Sequence, residues 1–214
     1  MAISKKALQE HGDQFHRVLK GFESINRYWD KTQNIAAAKI LPGEYYVTMH
    51  DEMIVTVLGS CISACIRDRK LGLGGMNHFM LPSGGDDKAS LVSGAERYGN
   101  FAMEHLINTI LKNGGEKKNL EIKIFGGGKI LAQMTDIGLR NIEFVQHYIK
   151  TEGLMMVSED VGDIYPRKVA YFPATGKALV KKLRSVQNNT VVEREKSYLK
   201  DLEQKPVEGD IELF

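Results

Sequence analysis

Apolar positions recur along this chain with two different spacings, and the change of spacing marks its parts. Phe15, Val18, Leu19, Phe22 and Ile25 follow a helical period, which predicts an amphipathic helix over residues 13–29. Behind the Pro42-Gly43 turn signal the pattern becomes strand-like. Strands are predicted over 44–49 and over 53–66, the latter interrupted by Gly59-Ser60, and an extended run over 71–81 stops at Pro82. Met103, Leu106, Ile107, Ile110 and Leu111 then form one helical face, with Gly114 placed to end it. Leu120, Ile122 and Ile124 alternate with Glu121 and Lys123 as in a half-buried strand that ends at Gly126-Gly127-Gly128. A second core helix is predicted over 135–150, and strands over 154–158, 168–172 and 178–183.

Two long helices among six or seven strands joined mostly by short turns indicate an α+β fold with a mixed sheet. The pattern divides the chain into an N-terminal helical extension (1–38), a core domain (39–186) and an acidic C-terminal tail (187–214). In the tail, residues 193–214 hold seven acidic and four basic side chains, and Leu199 and Leu202 fit a short helix.

Composition narrows the field of functions. The 214 residues carry 29 Lys and Arg against 27 Asp and Glu, a balance that argues against nucleic-acid binding by bulk charge. The longest apolar-looking run, 53–66, is too short and too polar to span a bilayer, and the first residues lack the apolar stretch of a secretory signal. Cys61 and Cys65 are the two cysteines. Four apart on one strand, their Cα atoms stand about 13 Å from each other, beyond the roughly 7 Å that a disulfide can bridge. No second Cys/His pair stands at zinc-ligand spacing. Two free thiols fit a reducing cytoplasm.

The candidate chemistry lies between residues 55 and 78. Ile62, Ala64 and Ile66 share one strand face, and Cys61, Ser63 and Cys65 the other. A hairpin turning on Arg69-Lys70 would pair positions whose numbers sum to 139 and set Cys61 directly opposite His78. Cβ atoms of such a pair are about 4.5–5.5 Å apart. A thiol beside an imidazole is the minimal unit of cysteine nucleophilic catalysis, because the imidazole stabilises the attacking thiolate and can return the proton to a leaving amine. Gly59-Ser60 permits tight backbone geometry, so amides near residues 60–61 are candidates to face an oxyanion. Thr56 is a candidate to orient the histidine, with Ser63 and Asn77 as alternatives. The plainer reading is a small hydrophobe in a strand beside a structural histidine. Gly126-Gly-Gly-Lys129 lacks the upstream Gly and following Ser/Thr of a phosphate loop, and Gly72-Leu-Gly-Gly is not a dinucleotide fingerprint.

Several of these pieces recur in a fixed order that resembles the bacterial chemoreceptor glutamine deamidase family. They are Leu58-Gly-Ser-Cys61, Gly75-Met-Asn-His-Phe-Met-Leu-Pro82, Arg97-Tyr98-Gly99 with Ala102-Met103, Lys123-Ile-Phe-Gly-Gly127, Ile137-Gly-Leu-Arg-Asn141 and Asp160-Val-Gly-Asp-Ile-Tyr-Pro-Arg167. Asp163 stands where the family pattern expects Gly. The likeness covers roughly residues 40–183 and leaves both flanking segments as extensions.

The resemblance implies a β-sandwich-like α+β core flanked by helices, related to deamidating-toxin cysteine hydrolases. It implies hydrolysis of selected glutamine side chains on methyl-accepting chemotaxis receptors, with Cys61 as nucleophile, His78 as general acid/base and Thr56 as the third residue. No cofactor or metal is required, and the expected location is the cytoplasm. The substrate glutamine would be exposed on a receptor helix, so an open groove is expected. A chemotaxis phosphatase is a further candidate partner. Two rival readings stand beside this one: a non-enzymatic adaptor that binds receptors or a phosphatase, and a cysteine hydrolase of peptides or small amides.

Overall fold

Gly59-Ser60 divides the longest β-branched run of the chain, and the two halves enter different sheets. The computed structural model describes residues 15, 17–82, 94–130, 137–184 and 189–204. The first sheet is built from β1 (Asn26–Asp30), β2 (Ile35–Lys39), β4 (Met53–Leu58), β9 (Arg167–Phe172) and β10 (Lys177–Lys182), in the order β1-β2-β4-β9-β10. The second contains β3 (Tyr45–Thr48), β5 (Ile62–Asp68), β6 (Gly74–Asn77), β7 (Leu120–Gly126) and β8 (Met155–Val161), in the order β3-β6-β5-β7-β8. Each sheet has one parallel pair, β2 with β4 and β7 with β8, and is otherwise antiparallel. One apolar cluster joins Leu58 and Val169 of the first sheet to Ile62, Ile66 and Ile124 of the second.

Helix α1 (Gly94–Lys112) and helix α2 (Ile137–Thr151) send Met103, Leu106, Val145 and Ile149 into that cluster. Gly114 follows α1 with φ +103°, the left-handed geometry of a helix C-terminus. A third helix, α3 (Asn189–Gln204), lies in the segment expected as a tail. The α+β class with two mixed sheets and flanking helices agrees with the sequence pattern.

The chain before residue 40 differs from expectation. Residues 13, 14 and 16 lie outside the described residues, but β1 replaces the end of the predicted 13–29 helix. Gly21 adopts φ +97°, and Phe22 and Ile25 close i→i+3 turns onto Leu19 and Phe22. These contacts stop a helix, and pairing of β1 with β2 then overrides the helical spacing. The buried Arg27 also joins Glu52, which accepts from the Tyr46 hydroxyl at 2.7 Å.

The register of the β5–β6 hairpin differs as well. Cys65 pairs with Met76 and Ile62 with Phe79, so paired positions sum to 141 and not 139. Asp68 accepts Gly72 N–H and donates to Leu73 C=O, giving a longer turn with Gly72 at φ +69°. His78 therefore faces Ser63 in register. A shift of two residues keeps every side chain on its original face, so Cys61 and His78 become diagonal neighbours on one side of the sheet.

Candidate active site

Thr56 fixes the histidine. The residue sits inside β4, where its hydroxyl donates to Ile40 C=O at 2.9 Å and stands 2.7 Å from His78 Nδ1. A hydroxyl has one proton, and the Ile40 bond uses it, so His78 Nδ1–H must be the donor to Thr56. That tautomer leaves Nε2 as a free base, and Nε2 has no hydrogen-bond partner among the described residues. The backbone on both sides of the ring is also held: His78 N–H donates to Glu44 C=O at 2.9 Å, and His78 C=O accepts from Gly43 N–H at 2.8 Å. Ser63 and Asn77, the alternatives to Thr56, serve the sheet. Ser63 Oγ donates to Asn77 C=O, while the Asn77 side chain accepts from Ala64 N–H and donates to Ala102 C=O.

Cys61 lies immediately before β5. Its Sγ, a His78 ring nitrogen and a carboxylate oxygen of Glu195 lie within 4.8 Å of one another. Cys65, four residues further along on the same face, is also buried and free. The structure thus brings together Cys61, His78 and Thr56, and adds Glu195.

Glu195 comes from α3 and is held by a cup of donors. Oε1 accepts from Gly59 N–H at 2.8 Å and Cys61 N–H at 3.2 Å; Oε2 accepts from Ser60 N–H at 2.9 Å and Ser60 Oγ at 2.6 Å. Three successive backbone amides that point at one carboxylate form an anion-binding nest. A Cβ on Gly59 would stand 2.8 Å from both Glu195 oxygens, so the close approach requires glycine there.

The nest is built by the motifs around it. Cys61 C=O accepts from Gly127 N–H and Gly59 C=O from Gly128 N–H, both at 2.7 Å. Gly126 and Gly127 have φ +117° and +65°, and a Cβ on Gly126 would lie 2.1 Å from Cys61 O. Asn141 of α2 donates to Ser60 C=O and accepts from Leu81 N–H, each at 2.8 Å. The buried Arg167 bonds Gly126 C=O, Asp160 and Gly162 C=O, tying β9 to the glycine turn. Asp163 reaches φ +70°, so it takes up the backbone geometry of the glycine that the family pattern expects. Its carboxylate accepts from Ile164 N–H and Lys182 Nζ.

Cys61, His78 and Glu195 are 0%, 1% and 1% exposed. The expected open groove is thus closed, because α3 lies over the thiol. Burial first, and then the Glu195 charge and hydrogen bond, push the Cys61 thiol well above its ordinary pKa. Burial, with the Arg194 charge second, lowers His78 to about 3. Both groups are neutral at pH 7 in this arrangement, a resting pair and not a thiolate–imidazolium pair.

Cys61, His78 and Glu195 also offer the atom types of a metal site. Glu195 does not fit that use, since four protein donors already occupy its two oxygens. Chemically, such an arrangement can supply a thiol, an imidazole held in one orientation and preformed amides able to receive a negative oxygen. Sequence reasoning missed Glu195. Its signal was position: with Val191, Leu199 and Leu202 it falls on one face of α3, a carboxylate in the middle of an apolar stripe.

The family model described as CheD chemotactic sensory transduction matches residues 80–182. A protein of Halorhodospira halophila named probable chemoreceptor glutamine deamidase CheD is 57% identical over 200 residues, covering 92% of this chain and 93% of the relative. Proteins of the same name from Janthinobacterium sp. (strain Marseille) and Methylobacillus flagellatus are 56% and 57% identical, over 89% of this chain and 95% and 96% of theirs. The chain belongs to the CheD family. The match to the Halorhodospira relative is longer than the span 40–183 and necessarily takes in part of the flanking segments, including the first half of α3.

Proposed function

We propose that this CheD-family chain is a chemoreceptor glutamine deamidase that hydrolyses selected glutamine side chains of chemotaxis receptors to glutamate. The observation that carries the reading is the line Ile40 C=O, Thr56, His78, Cys61, which ends at three convergent backbone amides. Cys61 is the nucleophile, His78 the general acid/base and Thr56 the residue that positions His78. His78 Nε2 takes the thiol proton, and the thiolate attacks the side-chain carbonyl carbon of glutamine. The amides of residues 59–61 stabilise the oxyanion. The imidazolium then gives its proton to the departing ammonia, leaving a thioester. A water deprotonated by the same nitrogen hydrolyses it, releasing glutamate and the Cys61 thiol.

The cytoplasmic portions of receptors as substrate put the activity in the cytoplasm, in keeping with two free cysteines. Among the described residues no helix is long and apolar enough to cross a membrane. A chemotaxis phosphatase is a second partner within this reading. The full burial of Cys61 favours the adaptor as the rival. Incubation with a receptor cytoplasmic domain, followed by peptide mass spectrometry, separates them. Conversion of particular Gln residues to Glu is expected; binding without conversion would leave the adaptor.

A further inference from the structure

Helix α3 does more than cover the thiol. Its Glu195 places a glutamate side chain, the chemical product of the proposed reaction, with its carboxylate in the amide nest beside Cys61. Oε1, shared by Gly59 N–H and Cys61 N–H, occupies the position suited to an oxyanion. The helix is seated by apolar and aromatic contacts: Leu199 is buried in the main cluster, Tyr198 packs on Gly43, and its hydroxyl meets that of Tyr98. Nothing outside the chain can reach a thiol that is 0% exposed while this helix stays in place.

We propose that α3 is an intramolecular product analogue: Glu195 fills the site of the product carboxylate, holds the enzyme closed, and must be displaced by the helix that carries a substrate glutamine. This rests on the deamidase reading and specifies how that same site is regulated. The neutral thiol and imidazole of the closed form agree with it, because withdrawal of α3 removes the burial and the like charge that keep Cys61 protonated. Affinity for the receptor helix is reduced by the fraction of chains whose α3 is docked.

If Glu195 sits where product sits, Glu195→Gln turns the inhibitor into a substrate in cis. Cys61 sulfur then bonds to the side-chain carbon at position 195, the C–N bond breaks, and ammonia leaves with the proton from His78. Water cleaves the thioester, so glutamine and water become glutamate and ammonia. The test uses the full chain carrying Glu195→Gln, digested and read by peptide mass spectrometry. Position 195 is expected as glutamate, or as a thioester to Cys61, and as unchanged glutamine when Cys61→Ala is added. In parallel, Glu195→Lys, which cannot enter a cup of N–H donors, should raise both receptor conversion and iodoacetamide labelling of Cys61 by on the order of tenfold.

An unchanged glutamine at position 195 in a preparation that still converts receptor glutamine would overturn the product analogue and leave the deamidase intact. Failure of Glu195→Lys to raise Cys61 labelling above the native chain would do the same. Absence of receptor conversion by the native chain and by Glu195→Lys, with Cys61 labelled faster in the variant, would instead overturn the deamidase reading.

Discussion

Cys61 and Cys65 lie on the same face of one strand, both fully buried and both free, yet their surroundings differ in kind. Cys65 sits mid-strand between Met76 of β6 and Lys123 of β7, where backbone amides are used by the sheet ladder. Burial alone dominates its environment and pushes its thiol up. Cys61 stands where the strand begins, beside a glycine turn, and there the amides of 59–61 turn from the ladder to a carboxylate. A histidine locked in one tautomer lies next to it. Residue type and burial are the same; what differs is the open end of the strand, which releases donors for chemistry.

The largest expected effect breaks that contrast outright. Cys61→Ala should lower the rate of receptor glutamine conversion by on the order of 10⁴-fold or more, while Cys65→Ala leaves the rate within about twofold of native, since its site contributes nothing to the reaction. Peptide mass spectrometry on a receptor domain reads both. Equal losses in the two variants would mean that the thiols matter for packing and not for attack.

Thr56→Val sharpens the difference at the histidine. Valine keeps the shape but can neither accept from His78 Nδ1–H nor donate to Ile40 C=O. The ring loses its fixed tautomer, and conversion should fall roughly 10–10²-fold, mainly in kcat. Thr56→Ser restores the hydroxyl and should recover most of the rate. A loss in Thr56→Ser as deep as in Thr56→Val would show that β4 packing, and not ring orientation, is at stake.

A smaller effect concerns pH. His78 in the native closed form protonates near 3, against an ordinary value of 6.5. As pH falls from about 6.5 toward 3, the unfolded chain binds a proton that the native ring refuses, so native stability declines across that window by at most about 1.4 kcal/mol per pH unit from this residue. Above 6.5 both states are neutral and the contribution is constant. Urea unfolding at pH 7.5 and 5 should show a greater acid loss in the native protein than in His78→Asn. Equal losses would mean that the ring accepts a proton in place, facing Thr56, Cys61, Glu195 and the Arg194 charge.

How far the site could be read in advance follows from the physics of each part. That Cys61 and His78 come together was legible because a two-residue error in the hairpin register keeps each side chain on its face, whereas Thr56 was a candidate only by its place five residues before Cys61. The error itself came from treating Arg69-Lys70 as the tight turn, where the chain used Gly72 in a left-handed conformation. β1 was hidden because Phe15, Val18, Leu19, Phe22 and Ile25 mimic a helix, and only pairing with β2 shows otherwise. For Glu195 the helical spacing of α3 marks a carboxylate on an apolar stripe but not what that carboxylate meets. Its role depends on a contact across 134 positions in sequence with the Cys61 amide, which no periodicity encodes.

The smallest expected effect falls on the quiet cysteine. Cys65 is enclosed by strands on both sides and belongs to the same apolar cluster as Tyr171 of the facing sheet. Cys65→Ala removes one sulfur from that cluster and leaves a cavity of about one atom, which costs on the order of 1 kcal/mol because the packed surroundings close only in part. The loss should appear as a lower urea midpoint with an unchanged slope. Cys61→Ala removes the same atom together with the hydrogen bond between the neutral thiol and Glu195, so deletion also forfeits a favourable contact there. The Cys61 variant should therefore lose more stability than the Cys65 variant as well as all of the activity. An equal or smaller loss at Cys61 would mean that its thiol gains nothing from the carboxylate beside it, and the contrast between the two positions would collapse.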